Sequence, residues 1–184
     1  MGGVHPRAAE IRTMTRDLLQ AILSDYALDP RDIHGVYHWA RVFENGTRIA
    51  EATGADTELV QLFSIFHDCR RVNEGTDPGH GRRGANFAAT LRGGLVQLEP
   101  SRFELLHYAC THHTEGLTEA DPTVQACWDA DRLDLGRVGI EPDPDLLCTE
   151  VAKQSELFGW ADDRAREDFV SPHAEEWFGW VGEQ

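Results

Sequence analysis

The stretch Asp56-Thr57-Glu58-Leu59-Val60-Gln61-Leu62-Phe63-Ser64-Ile65-Phe66-His67-Asp68 decides the fold. Asp56 is a good N-cap, since its carboxylate can accept from the first free backbone N–H groups of a helix. Leu59, Val60, Leu62, Phe63 and Phe66 follow at helical spacing. The apolar run ends in an imidazole beside a carboxylate. A long side chain and a short one at a helix terminus can reach the same ion lying over it.

Working outward, the chain reads as helix after helix. Upstream, Ile11, Met14, Leu18, Leu19 and Ile22 predict a first helix ending near Tyr26. Asp29-Pro30 and Asp32 read as a turn and cap, and a second helix is expected from about Ile33 to Thr53, stopping at Gly54. Downstream, residues 73–81 are rich in Gly, Asp and Pro and form a loop. A helix is expected from about Gly81 to Arg92. Ser101 with Glu104 suggests a capping box for a helix from Arg102 to His113. Asp121-Pro122 opens another through Leu135. Two closing helices are expected, Asp145 to Leu157 and Asp162 to Trp180. No alternating strand pattern, repeat or linker divides the chain. The fold class is therefore all-α, one domain over residues 1–184.

The bulk composition narrows the function. The chain has 184 residues, 41% of them hydrophobic, enough for one domain with a real core. The net charge of -15 argues against binding duplex nucleic acid or anionic lipid, because phosphates would be repelled. Cys69, Cys110, Cys127 and Cys148 form no CxxC pair, so reduced thiols and a cytoplasmic location are expected. Met1 to Glu10 carries no apolar signal run, and no stretch is long and apolar enough to span a membrane. The aromatic run Trp160, Trp177, Phe178 and Trp180 reads first as core packing and second as a homodimer surface.

The histidines cluster. There are nine, including His34 and His38, His67 beside Asp68, His80, and His112 with His113. Asp129, Asp131 and Asp134 follow. Imidazole and carboxylate are the side chains that divalent metals accept from proteins. His34 and His38 share a helix face at i,i+4, as do Asp131 and Asp134 at i,i+3. Asp129 and Asp131, at i,i+2, point apart and do not serve one ion.

The order His38…His67-Asp68…Asp131 resembles the H…HD…D pattern of the HD superfamily of metal-dependent phosphohydrolases. Three strings support it: His38-Trp39-Ala40-Arg41-Val42, Phe66-His67-Asp68, and Ala130-Asp131-Arg132-Leu133-Asp134. The resemblance covers about residues 32–140, with the C-terminal part, 141–184, packed on that core. It implies a helical bundle around a central metal site. The first ion would be held by His38, His67, Asp68 and Asp131, the last chosen over Asp129 by the Ala-Asp-Arg-Leu string.

Some members of the family build a second site from two further histidines, and His80 and His112 occupy that part of the order, with His113 and His34 as additional candidates. The tandem His112-His113 is similar to that of cyclic-dinucleotide phosphodiesterases, but Glu115-Gly116-Leu117 stands where their Gly-Tyr-Pro is expected. One or two divalent ions are implied, among Mn, Fe, Co, Ni, Zn and Mg. Asp68 would bridge them and orient the attacking water, and Arg71 and Arg83, more loosely Arg70 and Arg82, would bind phosphate. The implied activity is hydrolysis of a phosphate ester or anhydride of a nucleotide or related small molecule. Two other activities occur in such proteins: mixed-valence di-iron oxygenation with the same six ligands, and non-catalytic binding of a nucleotide or partner.

Overall fold

The structure is a computed structural model that describes residues 14–182. Eight α-helices account for most of it: α1 (Arg16–Leu23), α2 (Val36–Thr53), α3 (Thr57–Phe66), α4 (His80–Thr90), α5 (Pro100–His112), α6 (Pro122–Arg132), α7 (Ser155–Arg166) and α8 (Pro172–Gly182). Short 3-10 turns lie at Leu135–Val138 and Pro144–Leu146. The described residues form no strand, only an isolated bridge between Arg92 and Val96. This is the expected all-α bundle. No described helix is long and apolar enough to cross a membrane. The readings made on Met1 to Glu10 and on Ile11 lie outside the described residues.

α3 is the axis. Asp56 caps it, accepting from Leu59 N at 3.2 Å. Leu59, Val60, Phe63, Ile65 and Phe66 are fully buried, each stabilising the fold by about 1.5–3 kcal/mol relative to exposure. α2, α5 and α6 pack around it, and α4 lies on α5. The helix therefore ends, and presents His67 and Asp68, inside the bundle.

Two close approaches bring α4 in. A Cβ at Gly84 would stand 1.9 Å from the Phe66 carbonyl oxygen, and one at Gly81 2.1 Å from that of Cys110. No other residue fits at either place without moving backbone.

Several boundaries differ from expectation. α1 stops at Leu23, where Ser24 N–H donates to Gln20 O, short of Tyr26. α2 starts at Val36, because residues 29–35 are folded into turns closed by Val36 N–H to Pro30 O at 2.7 Å. His34 is thus off the helix. α5 begins two residues early at Pro100, with Glu99 as cap, so Ser101 and Glu104 form no capping box.

The expected helix from Asp145 to Leu157 does not form. Asp129 takes the backbone N–H groups of Cys148 and Thr149, both at 2.7 Å, and holds them in a turn. The last two helices are accordingly shifted. Pro172 at the first turn of α8, after a left-handed Asp168 (φ 49°), splits what reads as one helix from Asp162 to Trp180. Trp177 is buried, and Trp160, Phe178 and Trp180 pack half-buried against the core.

Candidate metal centre

His38 projects from α2, His67 and Asp68 from the end of α3, His80 from the start of α4, His113 from the end of α5 and Asp131 from α6. Their side chains meet in the middle of the bundle. His38 and His67 are fully buried, and Asp68, His80 and His113 nearly so.

One set surrounds Asp68 Oδ2. It lies 3.8 Å from both His38 Nε2 and His67 Nε2, which are 3.0 Å from each other. Asp131 Oδ1 is 3.4 Å from the first and 3.6 Å from the second. The other set surrounds Asp68 Oδ1, with His80 Nε2 at 2.9 Å, His113 Nε2 at 3.7 Å, and those two nitrogens 3.0 Å apart. In each of the triads His38-His67-Asp68 and Asp68-His80-His113, the candidate ligand atoms lie within 4.8 Å of one another.

The hydrogen bonds on the far side of each ring decide what these atoms are. Carbonyl oxygens only accept, so the nitrogen facing one carries the proton. His67 Nδ1 donates to the carbonyls of Phe63 and Ser64 at 3.1 and 3.0 Å. His80 Nδ1 donates to Asp77 O and His113 Nδ1 to Cys110 O, each at 2.7 Å. His38 Nδ1 donates to the Asp134 carboxylate at 2.7 Å. The four rings therefore turn their Nε2 atoms, the ones without these protons, toward one carboxylate. Asp68 Oδ1, although buried, accepts no hydrogen bond. Lone pairs gathered around an unsatisfied buried carboxylate call for positive charge between them, and this donor set fits divalent metal ions.

Protons answer that demand unevenly. Burial pushes the His38 imidazole down to about 3, helped by the nearby Arg137 guanidinium and against the pull of Asp134. Burial also opposes charge on His67, but Asp68 and Asp131 outweigh it and raise its pKa. Burial alone would raise the Asp68 and Asp131 carboxyls; the surrounding histidines hold both well below the ordinary carboxylate range.

Of the candidate residues, the structure brings together His38, His67, Asp68, His80 and Asp131. His112 is a correction. It is the last residue of α5, and its Nδ1 turns away to Glu115 Oε1 at 2.9 Å, with its ring against Tyr108. The next residue, His113, is rotated about 100° around the helix axis and faces the centre. Arg83 is a second correction. Its Nη2 is 2.6 Å from both Asp77 carboxylate oxygens, and its Nε donates to Arg70 O, so it is committed to the loop and not directed at the site. Arg71 does reach the site, with Nη1 3.6 Å from Asp68 Oδ1 and 3.2 Å from His80 Nε2.

His34 sits at the edge. Its Nδ1 pairs with Glu74, and its ring centroid is 6.4 Å from that of His38. Asp129 faces away, spent on residues 148 and 149.

Sequence reasoning missed the supporting groups. Asp134 holds His38 and is itself clamped by Arg41, whose Nε and Nη2 donate to its two oxygens at 2.7 and 3.1 Å. The signals were present in the Arg41 of the His38 string and in the shared face of Asp131 and Asp134. The carbonyls that orient His67, His80 and His113 leave no trace in side-chain identity.

This arrangement defines a helical-bundle protein with two buried groups of candidate metal ligands that share one aspartate. No protein-family model matches the chain, and no curated protein does. A solved structure does: a crystal structure of a predicted HD superfamily hydrolase from an uncultured Thermotogales bacterium. The two are 25% identical, the match covers 88% of this chain and 92% of that one, and the TM-score is 0.62. The fold is that of the HD superfamily.

Proposed function

We propose that this chain is a metal-dependent hydrolase that cleaves a phosphate ester or anhydride in a nucleotide or related small molecule. The observation that carries the reading is the Asp68 carboxylate, with one oxygen facing His38, His67 and Asp131 and the other facing His80 and His113. Divalent ions held there would supply Lewis acidity, activating water and drawing charge from a phosphoryl group. The similarity to a predicted hydrolase of the same fold supports the assignment of reaction type.

The protein's own groups have separate tasks. Asp68 sits between the two pockets, placed to orient water toward a substrate bound across them. Arg71 borders the second pocket, held by the carbonyls of Asn73 and Gly75 at 3.3 and 2.6 Å. A guanidinium fixed in that way binds a phosphoryl oxygen and meets the charge that develops on it in the transition state. Asp134, clamped by Arg41, holds a proton of His38 on Nδ1 and keeps Nε2 pointing inward, while burial disfavours charge on the ring. Burial of the whole group excludes bulk water and strengthens each of these interactions.

The test is elemental analysis of the purified full chain, followed by a hydrolysis panel of nucleotides and simple phosphodiesters. Release of phosphate that disappears on chelation and in Asp68→Ala is expected. A metal-loaded protein inactive across the panel would overturn the reading. The six-donor set also suits two irons, so a mixed-valence EPR signal with oxygen-dependent turnover would instead favour an oxygenase.

A further inference from the structure

On the opposite side of α5 from His113 lies a cavity of about 560 Å³ between α4 and α5. That volume is within the range of about 300–1,000 Å³ typical of small-molecule sites. Most arginines of this acidic chain are tied to carboxylates or carbonyls, but the two that line this cavity are not. Among the described residues, none pairs with the Arg82 guanidinium by a hydrogen bond or an ion pair. The Arg92 guanidinium is engaged only by the face of Phe103, at 4.4 Å from the ring centroid.

Flat apolar surface stands beside these charges. Tyr108 is 41% exposed, so its ring is open to a partner, and the His112 ring lies 4.4 Å from it, centroid to centroid. The hydroxyl of Thr111, also in the lining, is buried with no hydrogen-bond partner. Unpaired cations, an open aromatic face and an unsatisfied hydroxyl are together what a ligand with a ring and a negative charge would satisfy.

We propose that this cavity is a second binding site, for a small anion carrying a planar aromatic ring, of the kind represented by a nucleoside monophosphate. The anion pairs with Arg82 and Arg92 and the ring lies against Tyr108. Glu104, on the same wall, disfavours an additional negative charge and limits the ligand to a compact anion. The site is distinct from the metal centre, because His112 faces it while His113 faces the ligand cluster. It stands or falls independently of the hydrolase reading.

The experiment is calorimetric titration of the full chain with AMP, in chelator so that no metal ion draws the nucleotide to the other site. Adenosine and inorganic phosphate are titrated separately. Binding of AMP is expected, with affinity at least tenfold above either fragment. In Arg82→Ala/Arg92→Ala, both exposed positions, it falls at least tenfold with an unchanged melting temperature. Tyr108→Ala weakens AMP without affecting any residual phosphate binding. No AMP binding, AMP binding unaltered in the double variant, or a fragment binding as tightly as AMP would each overturn the proposal.

Discussion

His38 Nε2 and His67 Nε2 face each other at 3.0 Å, and both rings have their proton on the other side. What holds them is therefore the pair of acceptors behind them, and for His38 that acceptor is Asp134. Asp134→Asn keeps a carbonyl to accept from Arg41 but weakens the hold on the imidazole. Metal affinity is expected to fall about 10–100-fold, as for other groups that orient a ligating histidine. Titrating the chelator-treated protein with Zn²⁺ or Mn²⁺ measures it, and an unaltered affinity would show that Asp134 serves only Arg41.

The tandem histidines give a sharper contrast. His113→Ala is expected to abolish one of two bound ions by elemental analysis, whereas His112→Ala leaves both. The reverse result would return His112 to the centre. Helical spacing alone could not choose between them. The choice depends on the rotational phase of the end of α5, set by contact with α4 at Gly81, 31 residues away. For Asp129 and Asp131, by contrast, i,i+2 geometry forces the two carboxylates apart on any helix, so that only one can serve the ion, and the resemblance of the Ala130-Asp131-Arg132-Leu133 string picked Asp131.

α3 was readable because local signals agreed: an Asp cap, an apolar run and an abrupt polar end. The cap also supports a tertiary contact. The Asp56 carboxylate accepts from Arg102 at 2.6 and 2.8 Å. Burial would raise its pKa, but Arg102 and the Leu59 N–H together hold it below its ordinary value of 3.8. A carboxyl with a depressed folded pKa contributes stability that is present above the unfolded value and is lost as pH falls through the folded one. Asp56→Asn preserves the cap and removes the charge. It should lower stability at neutral pH by up to about 1 kcal/mol, since the pair is partly exposed. The difference from the parent should shrink in melts as pH falls below 3.8 and vanish once it is below the depressed folded value. A constant deficit across pH would mean that the cap, not the ion pair, had been damaged.

Gly84→Ala acts at the other end of α3. The added methyl meets Phe66 O at 1.9 Å, so α4 must retreat from the residue preceding His67. A loss of about 1–3 kcal/mol is expected, with weakened binding of the ion next to His80. The elements that the sequence hid were those governed by distant partners. Residues 145–157 look helical by periodicity, yet Asp129 claims the backbone N–H groups of 148 and 149, and a side chain 19 residues upstream does not register in local spacing.

At the scale of the molecule, the bundle concentrates negative charge where a globular protein usually keeps apolar side chains. Asp68 and Asp134 are buried near the middle, with Asp131 beside them, and the compensating positive charge among side chains comes from Arg41, Arg71, Arg137 and whatever protons the histidines carry. The order of ligands along the chain showed this centre because, apart from the His67-Asp68 doublet, each is delivered by a different helix, and a helix end with an imidazole and a carboxylate has little structural reason to be buried. The hydrogen-bonded carbonyls and the Asp134–Arg41 clamp emerged only with the packing.

Such a centre couples metal binding to folding, because the unfolded chain does not gather these donors. A ligand that binds only the folded form adds RT ln(1 + [L]/Kd), about 2.7 kcal/mol at a hundred times Kd. For a chain of this length about 2–4 °C accompanies each kcal/mol. Saturating Mn²⁺ or Zn²⁺ should therefore raise the melting temperature of chelator-treated protein by about 5–11 °C per ion bound. In Asp68→Ala, which withdraws the one carboxylate common to both pockets, most of that rise should be lost. A melting temperature indifferent to metal in the parent would contradict the assignment of these side chains as ligands.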